Sequence, residues 1–277
     1  MRRAFTLHEL LISLGVMSAV IAIAAHAAAA QLRFFSGSGE LVALRNQIGH
    51  AGTIAASVLW GVSAPGGELL VAQDSAIEVE LPIGSSFVCA SAPGMVVMAT
   101  GAPRGNTMAS FTETPNEGDR VQVLFADSLG VTWLAVRPAA PPTVSAACTH
   151  FPHAPGSLTL PIQEQIALPM GAPLRFFRRT RFSLYHGSDA RWYLGTRNWN
   201  AQTQSFNAVQ PAAGPLSPYS QDAGLTGLRF VYRDSASVEL ASPVDTRRVA
   251  SIIVIARSKS VRFEDSTAVT VALRNAQ

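Results

Sequence analysis

The order of hydrophobic and polar positions divides the first sixty residues into three segments. Leu10 to Ala25 is apolar apart from three small interruptions and carries no charge, which predicts a helix surrounded by an apolar medium. Residues 31–39 include Gly37 and Gly39, and because a glycine costs about 1 kcal/mol inside a helix, they predict a break or a flexible hinge. Residues 40–59 repeat apolar or small side chains at intervals of three and four, which predicts an amphipathic helix packed on a sheet. Its apolar face consists of Leu41, Leu44, Ile48, Ala51, Ala55 and Val58.

From residue 61 onward the pattern changes to short β-type segments between clusters of turn residues. The segment from Ile77 to Leu81 alternates apolar and charged residues, and the segment from Val249 to Ala256 is almost continuously apolar, which predicts a central strand. A Pro/Ala-rich loop, 138–155, separates an early set of strands from a late set. The predicted strands are 68–72, 76–83, 86–90, 95–99, 120–126, 131–137, 174–185, 191–196, 205–209, 225–234, 237–240, 249–257 and 268–274. The chain is therefore predicted to be α+β, with a long N-terminal hydrophobic α-helix packed on a β-rich antiparallel head.

Composition narrows the class of protein. The chain has 277 residues, and a hydrophobic content of 48% excludes a mostly disordered protein. The formal net charge of +3 is too small for a dedicated nucleic-acid-binding protein, and a single long apolar run excludes a polytopic membrane protein. The sequence contains no Walker loop, no His-Glu-x-x-His and no Gly-x-Ser-x-Gly motif. It therefore predicts neither an enzyme nor a cofactor.

Arg2 and Arg3 precede the apolar segment, and Glu9 stands at its head. A secretory signal peptide would be cut near Ala27–Ala29, but Glu9 is unusual there because a carboxylate costs about 2.5–3.5 kcal/mol at the bilayer centre. A plain membrane anchor would span the bilayer with residues 5–30 and keep both arginines in the cytoplasm. Both interpretations leave Glu9 without a role.

Cleavage between Ala4 and Phe5 gives Glu9 a role. The new α-amino group of Phe5 then lies one helical turn from Glu9, and in a helical filament the carboxylate can pair with the amine of a neighbouring chain. Residues 2–12 closely resemble the prepilin N-terminal cleavage and methylation motif of type IV pilins and type II secretion pseudopilins, with the sequence Arg2-Arg3-Ala4-Phe5-Thr6-Leu7-His8-Glu9-Leu10-Leu11-Ile12. One position departs from the family, which has Gly before the cut where this chain has Ala4.

The resemblance implies a division of the chain and a set of partners. Residues 1–4 are a leader, 5–30 a transmembrane and filament-core helix, 31–60 a hinge and amphipathic helix, and 61–277 a periplasmic head. A prepilin peptidase removes the leader and methylates Phe5. The expected partners are other pilins or pseudopilins in a helical filament, an inner-membrane assembly platform and the membrane itself. The subunit is expected first in the inner membrane, with a cytoplasmic N-terminus, and then in a pilus or pseudopilus.

A weaker resemblance concerns the C-terminal part. The segments Gly224–Asp234 and Arg247–Ile255 are similar to the late strands of large minor pilins and J-type minor pseudopilins. The resemblance therefore implies a minor subunit that assembles or primes the filament. The alternative from another class is an exported or membrane-anchored β-rich binding module.

Cys89 and Cys148 are the two cysteines of the chain. In an oxidising compartment they are expected to form one disulfide, worth about 4 kcal/mol in the chain-entropy model. A second interpretation of this segment is a metal site with three ligands, Cys148, His150 and His153. A structural zinc site needs four ligands, so we expect no metal there.

Two further segments have two interpretations each. The basic-aromatic run 175–182 is compatible with DNA contact. It is more simply explained as a strand whose Phe side chains are buried, whose Arg side chains are solvated and which has a bulge at the Phe pair. Trp192, Tyr193 and Trp199 are compatible with a carbohydrate or partner surface, and more simply with packing in a hairpin.

Overall fold

The computed structural model describes residues 7–99, 109–127, 130–145, 148 and 156–274. Within these ranges one long α-helix, α1 (Leu7–Leu59), is followed by a head of fifteen strands and one short 3₁₀-helix, Thr246–Arg248. The strands are β1 Leu69–Ala72, β2 Ala76–Ala92, β3 Met95–Ala99, β4 Ser110–Phe111, β5 Arg120–Asp127, β6 Gly130–Val136, β7 Thr143–Ser145, β8 Ser157–Pro161, β9 Pro173–His186, β10 Trp192–Asn200, β11 Ser205–Phe206, β12 Gln210–Leu216, β13 Leu228–Arg233, β14 Ser251–Lys259 and β15 Glu264–Ala272.

The strands form two antiparallel sheets. The larger sheet has twelve strands with the backbone order β11-β10-β9-β2-β3-β8-β7, and the remaining five pair along its sides. The 17-residue strand β2 is central to it, because its first part pairs with β9 and its last part with β3. The smaller sheet is β13-β14-β15. Its middle strand, β14, contains the apolar run that predicted a central strand, so that prediction is confirmed.

The second half of α1 packs on this head, against β12, β14 and β15. Four of the residues of the predicted apolar face are buried there, and the other two, Leu41 and Val58, are half-buried. All of these residues except Leu41 pack in a core with residues from both sheets, among them Phe182 of the larger sheet and Phe230 and Ile252 of the smaller one. The α+β prediction, a long helix on an antiparallel sheet, is therefore confirmed.

A second core lies within the large sheet and does not involve α1. It is built from side chains of β2, β3, β5, β8 and β9, including Val88, Met98, Val123, Leu160 and Phe176. The head therefore has one core that depends on the helix and one that does not.

The predicted break at residues 31–39 is wrong, because α1 is continuous through this segment. The hydroxyls of Ser36 and Ser38 donate to the carbonyls of Arg33 and Phe35 within the helix. Gly37 is buried, and a Cβ on it would lie 3.8 Å from the Phe263 ring. Extending a formed helix through a glycine costs far less than starting a new one, so the glycines lower helix stability locally without ending the helix.

Several strand predictions also need correction. Segments 76–83 and 86–90 are one strand, β2, with a register shift between Pro82 and Gly84. Segment 237–240 forms only an isolated bridge, between Arg233 and Glu239. Strand β12, which contains Pro211 and Pro215, was not predicted. It pairs with β10 alone, the edge position at which proline is tolerated in a sheet. The short strands β4, β7 and β8 were also not predicted, and β7 lies in the segment predicted as a loop.

Candidate functional site on the N-terminal helix

The first half of α1 extends away from the head. Every residue from 7 to 36 is exposed, and the first buried residue of the helix is Gly37. Thirty residues at 1.5 Å each give a projecting helix of about 45 Å. Its large apolar side chains are fully presented to the surroundings, with Leu10 52%, Val20 59% and Phe34 71% exposed. An apolar surface of this size is not that of a free soluble monomer.

The projecting segment has the length and composition of a membrane span. A bilayer core of about 30 Å needs about 20 apolar residues. In the described part of the chain, α1 is the one helix long and apolar enough to cross a membrane. Polar side chains do not form a second face in this half, since its apolar residues point in all directions. The segment therefore fits an environment that is apolar on every side, either lipid or a bundle of similar helices.

Two of the predicted site residues, Ala4 and Phe5, lie outside the described residues. Glu9 lies in the first turn of α1 and is exposed. A carboxylate at a helix N-terminus interacts favourably with the helix dipole, so the position of Glu9 also has a purely local stabilising effect. The pairing of Glu9 with the Phe5 amine of a neighbouring chain stays a prediction.

The predicted disulfide is present in the head. Cys89 and Cys148 are bonded, with their Cα atoms 5.4 Å apart, and both are buried. They form a small core with Ala99 and Ala109. Because Cys148 is bonded to Cys89, its thiolate is not available to a metal. His150 and His153 lie outside the described residues, and among the described ones no group of three His, Cys, Asp or Glu residues is placed to hold a metal ion.

The basic-aromatic run forms most of strand β9. Phe176, Phe177 and Phe182 are buried, as the simpler interpretation predicted. The predicted irregularity at the Phe pair lies on the opposite strand, where β2 shifts register between the partners of Phe177 and Phe176. A Cβ on Gly84 at this shift would lie 2.3 Å from the Phe111 ring. The bulge therefore needs a residue without a side chain.

The arginines of this run are solvated to different degrees: Arg175 is exposed, Arg179 and Arg181 are half-buried, and Arg178 is buried. The prediction of solvated arginines is therefore wrong for Arg178. Arg179 and Arg181 both bind the carboxylate of Glu78 on β2, at 2.5 and 2.9 Å. Glu78 is directly opposite Arg181 in the β2–β9 register, so these are cross-strand ion pairs. Arg175 lies over the Trp133 ring at 4.7 Å. Glu78 offsets part of the positive charge of Arg179 and Arg181, and Arg175 stays exposed and cationic. The ion pairs therefore reduce, without removing, the positive charge that DNA phosphates would need at this strand.

Arg178 faces the other side of the sheet and is held by the loop before β5. Its guanidinium donates to both carboxylate oxygens of Asp119, at 2.9 and 2.8 Å, and to the Thr114 carbonyl at 2.9 Å. It also forms an ion pair with Glu113. The hydrogen bond to Asp119 raises the pKa of Arg178 further. Sequence reasoning missed these partners because they lie 59 to 65 residues away along the chain.

Two further glutamates have perturbed pKa values: Glu68 is buried, and Glu80, which is half-buried, lies on the Arg179 face of the sheet. Burial raises the pKa of Glu80 to about 7, although Arg120, which forms an ion pair with it, acts in the opposite direction. Burial also raises the pKa of Glu68. Glu68 accepts a hydrogen bond from the Ser63 backbone at 2.7 Å and one from Arg274 at 2.8 Å. Alternation in segment 77–81 placed Glu78 and Glu80 on one face of a strand, but it gave no sign that this face is partly covered.

The aromatic cluster packs within the β9–β10–β11 hairpins. Trp192 contacts His186 at 5.2 Å and Tyr193 contacts Tyr185 at 5.9 Å between ring centroids. Trp199 contacts Phe206 at 5.2 Å. The hairpin interpretation therefore accounts for all three side chains.

Comparison with family models, curated proteins and solved structures finds no match in any of the three.

Proposed function

We propose that this protein is a minor pilin or pseudopilin, a structural subunit that assembles or primes a type IV pilus or a type II secretion pseudopilus. One observation carries the proposal. A single continuous helix is exposed and apolar over residues 7–36 and forms part of the head core over its remaining length. Such a helix joins a folded head rigidly to a segment that needs an apolar environment.

The same segment serves two environments in turn. Before assembly it lies in the inner membrane, with Arg2 and Arg3 on the cytoplasmic side and the head in the periplasm. The disulfide of the head fits that oxidising compartment. After prepilin peptidase removes residues 1–4, the basic anchor is lost. The helix then leaves the bilayer and packs among the helices of other subunits.

Glu9 sets the position of an incoming subunit in this proposal. A carboxylate at the head of an apolar helix is costly in lipid or in a helix bundle unless it is paired. The freed amine of Phe5 on a neighbouring subunit supplies the opposite charge. The pairing also gives the otherwise uniform apolar helix a register within the filament.

Processing is tested by intact mass and N-terminal sequencing of the chain from membranes of cells with and without a prepilin peptidase. We expect a start at methylated Phe5 that depends on the peptidase. A start near Gln31 that does not depend on it would contradict the proposal and favour an exported binding module.

Pairing is tested by Glu9→Ala in the full chain. We expect poor incorporation into filaments with normal membrane insertion and a normally folded head. Glu40→Ala is the matched control, because Glu40 is the next acidic residue on α1 and lies beyond the projecting segment. Normal incorporation of Glu9→Ala would contradict the pairing mechanism.

A further inference from the structure

The hairpin between β14 and β15 lies at the end of the head nearest the projecting part of α1. Contacts between β15 and α1 advance along both elements in the same direction, because Gly37 lies beside Phe263 and Gly52 lies beside Val269. The rise from Gly37 to Gly52 is about 22 Å in a helix, and the rise from Phe263 to Val269 is about 20 Å in a strand. The strand therefore runs along the helix, and its hairpin turn points toward the projecting segment.

The turn of this hairpin is tight and presents two side chains at its tip. The Ser260 backbone N–H donates to the Phe263 carbonyl at 2.7 Å, and the Phe263 N–H donates to the Ser260 hydroxyl oxygen at 3.0 Å. Val261 and Arg262 lie between them and are exposed, Val261 to 99%. A single exposed valine needs no explanation, so the neighbouring residues decide what the tip can bind.

Two of these neighbours are on α1. Arg33 and Phe34 lie on the same side of the helix as Gly37, since residues three and four apart share a helix face. Both are exposed, Phe34 to 71%. At the end of β14, the side chain of Lys259 is 68% exposed. The basal surface of the head is defined by these residues and the hairpin tip: Arg33, Phe34, Lys259, Val261 and Arg262.

Two cations of the basal surface have no acidic partner in the part of the chain that the structure describes. None of the ion pairs there involves Arg33 or Arg262. The next acidic residue of α1, Glu40, is half-buried and lies further from the projecting segment than Gly37. The positive charge of both arginines is therefore available to an anionic partner.

The acidic residues of the hairpin do not cancel this charge. Asp265 pairs with Arg45 at 2.9 Å. Glu264 is shared between Arg257 and Lys259, at 3.4 and 3.5 Å. Each of these acids is already matched by at least one cation of its own, so the basal surface as a whole stays positive.

The basal surface lies at the depth of the lipid headgroups when the projecting segment spans a bilayer. Between Glu9 and Arg33 the chain contains no Asp, Glu, Lys or Arg. This stretch rises about 35 Å, enough for a hydrocarbon core of about 30 Å, so Arg33 marks the border on the head side. Gly37 and the hairpin beside it lie about 6 Å further on, within reach of a headgroup layer about 5–8 Å thick.

We propose that the basal surface binds the surface of a bilayer that contains anionic phospholipids. Arg33, Lys259 and Arg262 bind lipid phosphates. Phe34 and Val261 enter the boundary between the headgroups and the acyl chains. The contact holds the head in one orientation on the membrane. The inference rests on membrane insertion of the projecting segment, which is part of the proposed function, but not on removal of the leader or on filament assembly.

The contact is tested with the full chain in phosphatidylcholine vesicles with and without phosphatidylglycerol. A fluorophore is attached at Val261→Cys, and lipids with a spin label on the headgroup quench it on contact. Val238→Cys is the matched control, because Val238 is 58% exposed and follows β13 at the opposite end of the same sheet. We expect strong quenching at position 261 in the anionic vesicles, weaker quenching there in the neutral ones, and none at position 238.

Insertion is measured on the same samples by flotation and carbonate resistance. Equal quenching at the two positions in a chain that has inserted would overturn the inference and leave the membrane placement of α1 intact. Failure of the chain to insert would overturn both.

Charge variants then assign the contact to the basal surface. Lys259→Gln and Arg262→Gln, each made in the Val261→Cys chain, should lower the ratio of bound to unbound tip by about 5-fold in anionic vesicles, the effect of one cation near such a surface. Arg247→Gln removes an exposed cation at the other end of the sheet and should be quenched like the parent. An unchanged unfolding midpoint shows that each variant is folded. Parent-like quenching in both basal variants would overturn the assignment.

Discussion

Residues 7–36 and 37–59 belong to one helix, yet their surroundings are opposite. Ile21 in the first part is 59% exposed and Ile48 in the second is 3% exposed. Both parts are rich in Ala, Leu and Ile, so helix propensity does not distinguish them. The two parts differ in the helix face that lies opposite the apolar residues. The second part carries Arg45, Asn46 and His50 there, whereas the first part has no polar face at all.

This difference shows what each part needs in order to be stable. The second part finds its apolar partner in its own chain, through β12, β14 and β15. The first part has no such partner among the described residues and must find one in lipid or in other helices. Between helices in an apolar medium, packing and polar pairs decide association. The helix therefore joins a segment that needs lipid or other helices to a segment that is buried against its own head.

The largest predicted effect comes from comparing the same substitution, Ile→Asp, in each part of α1. Ile48→Asp places a carboxylate in the head core and removes its packing, and we expect a loss of stability of at least about 4 kcal/mol. Ile21→Asp should leave the unfolding midpoint of the head unchanged in detergent, because that residue contacts none of it. In a bilayer the same change should disfavour insertion by about 2.5–3.5 kcal/mol.

Circular dichroism of the two variants in detergent measures the first effect, and the carbonate-resistant membrane fraction measures the second. Ile21→Ala and Ile48→Ala are the uncharged controls. A head destabilised by Ile21→Asp would mean that the projecting segment folds back on the head.

A somewhat smaller effect concerns the part of the head that α1 does not touch. The Cys89–Cys148 bridge closes a loop with a sequence separation of 59. Replacing both cysteines by Ala should cost about 4 kcal/mol or less, because the unfolded chain regains the entropy of the open loop. Membrane insertion of the projecting segment should not change. The measurement is the denaturant midpoint of oxidised wild type, reduced wild type and double variant, and equal midpoints for all three would contradict the prediction.

The stability of the head should depend on pH mainly because of Glu80. Its pKa is raised by burial from 4.5 to about 7 in the folded head. Between these two values the unfolded chain has lost the proton and the folded head has kept it, so stability falls as pH rises and levels off above about pH 7. The whole change is at most about 3 kcal/mol. Glu68, whose pKa burial also raises, contributes in the same direction.

Glu80→Gln isolates this contribution. Relative to wild type, the variant should gain stability between pH 5 and pH 8, since it has no proton to lose. Unfolding midpoints of both proteins across this range give the comparison, and pH 5, where wild-type Glu80 is uncharged, is the internal reference. Parallel profiles for the two proteins would show that Glu80 does not cause the dependence.

The contrast between the two parts of α1 could be predicted from the sequence because it is local. Spacings of three and four mark the buried face of the second part, and an unbroken apolar run marks the first. Strand β3 was predicted at its observed bounds for a similar reason, as a short apolar segment between turn residues. The disulfide could be predicted from cysteine count and compartment.

The ion pairs of Arg178 depend on residues that are distant in the sequence, which local patterns do not reveal. The sequence predicts Arg178 as a solvated residue of a basic run, because Asp119, which it binds, is 59 residues away. Nothing in the sequence around Gly118 shows that a Cβ on it would lie 2.3 Å from the Cβ of Ala201. Strand β12 has no clear pattern of its own because prolines are rare inside strands, although an edge strand accommodates them.

The predicted break at 31–39 is the one error within α1, and glycine substitutions test its physical cause with the smallest effects. A Cβ on Gly39 meets nothing within 4 Å, whereas one on Gly52 would lie 2.9 Å from a Val269 methyl group. Gly39→Ala should therefore stabilise the head by about 0.5–1 kcal/mol through helix propensity. Gly52→Ala should destabilise it by about 1 kcal/mol, because overpacking against a branched side chain outweighs that gain.

Gly15→Ala, also free of contacts, should leave the unfolding midpoint of the head unchanged, since the projecting part does not melt with it. If Gly39→Ala instead lowers the midpoint, residues 31–39 need a conformation that glycine allows and alanine does not, and the two parts of α1 are joined by a hinge after all.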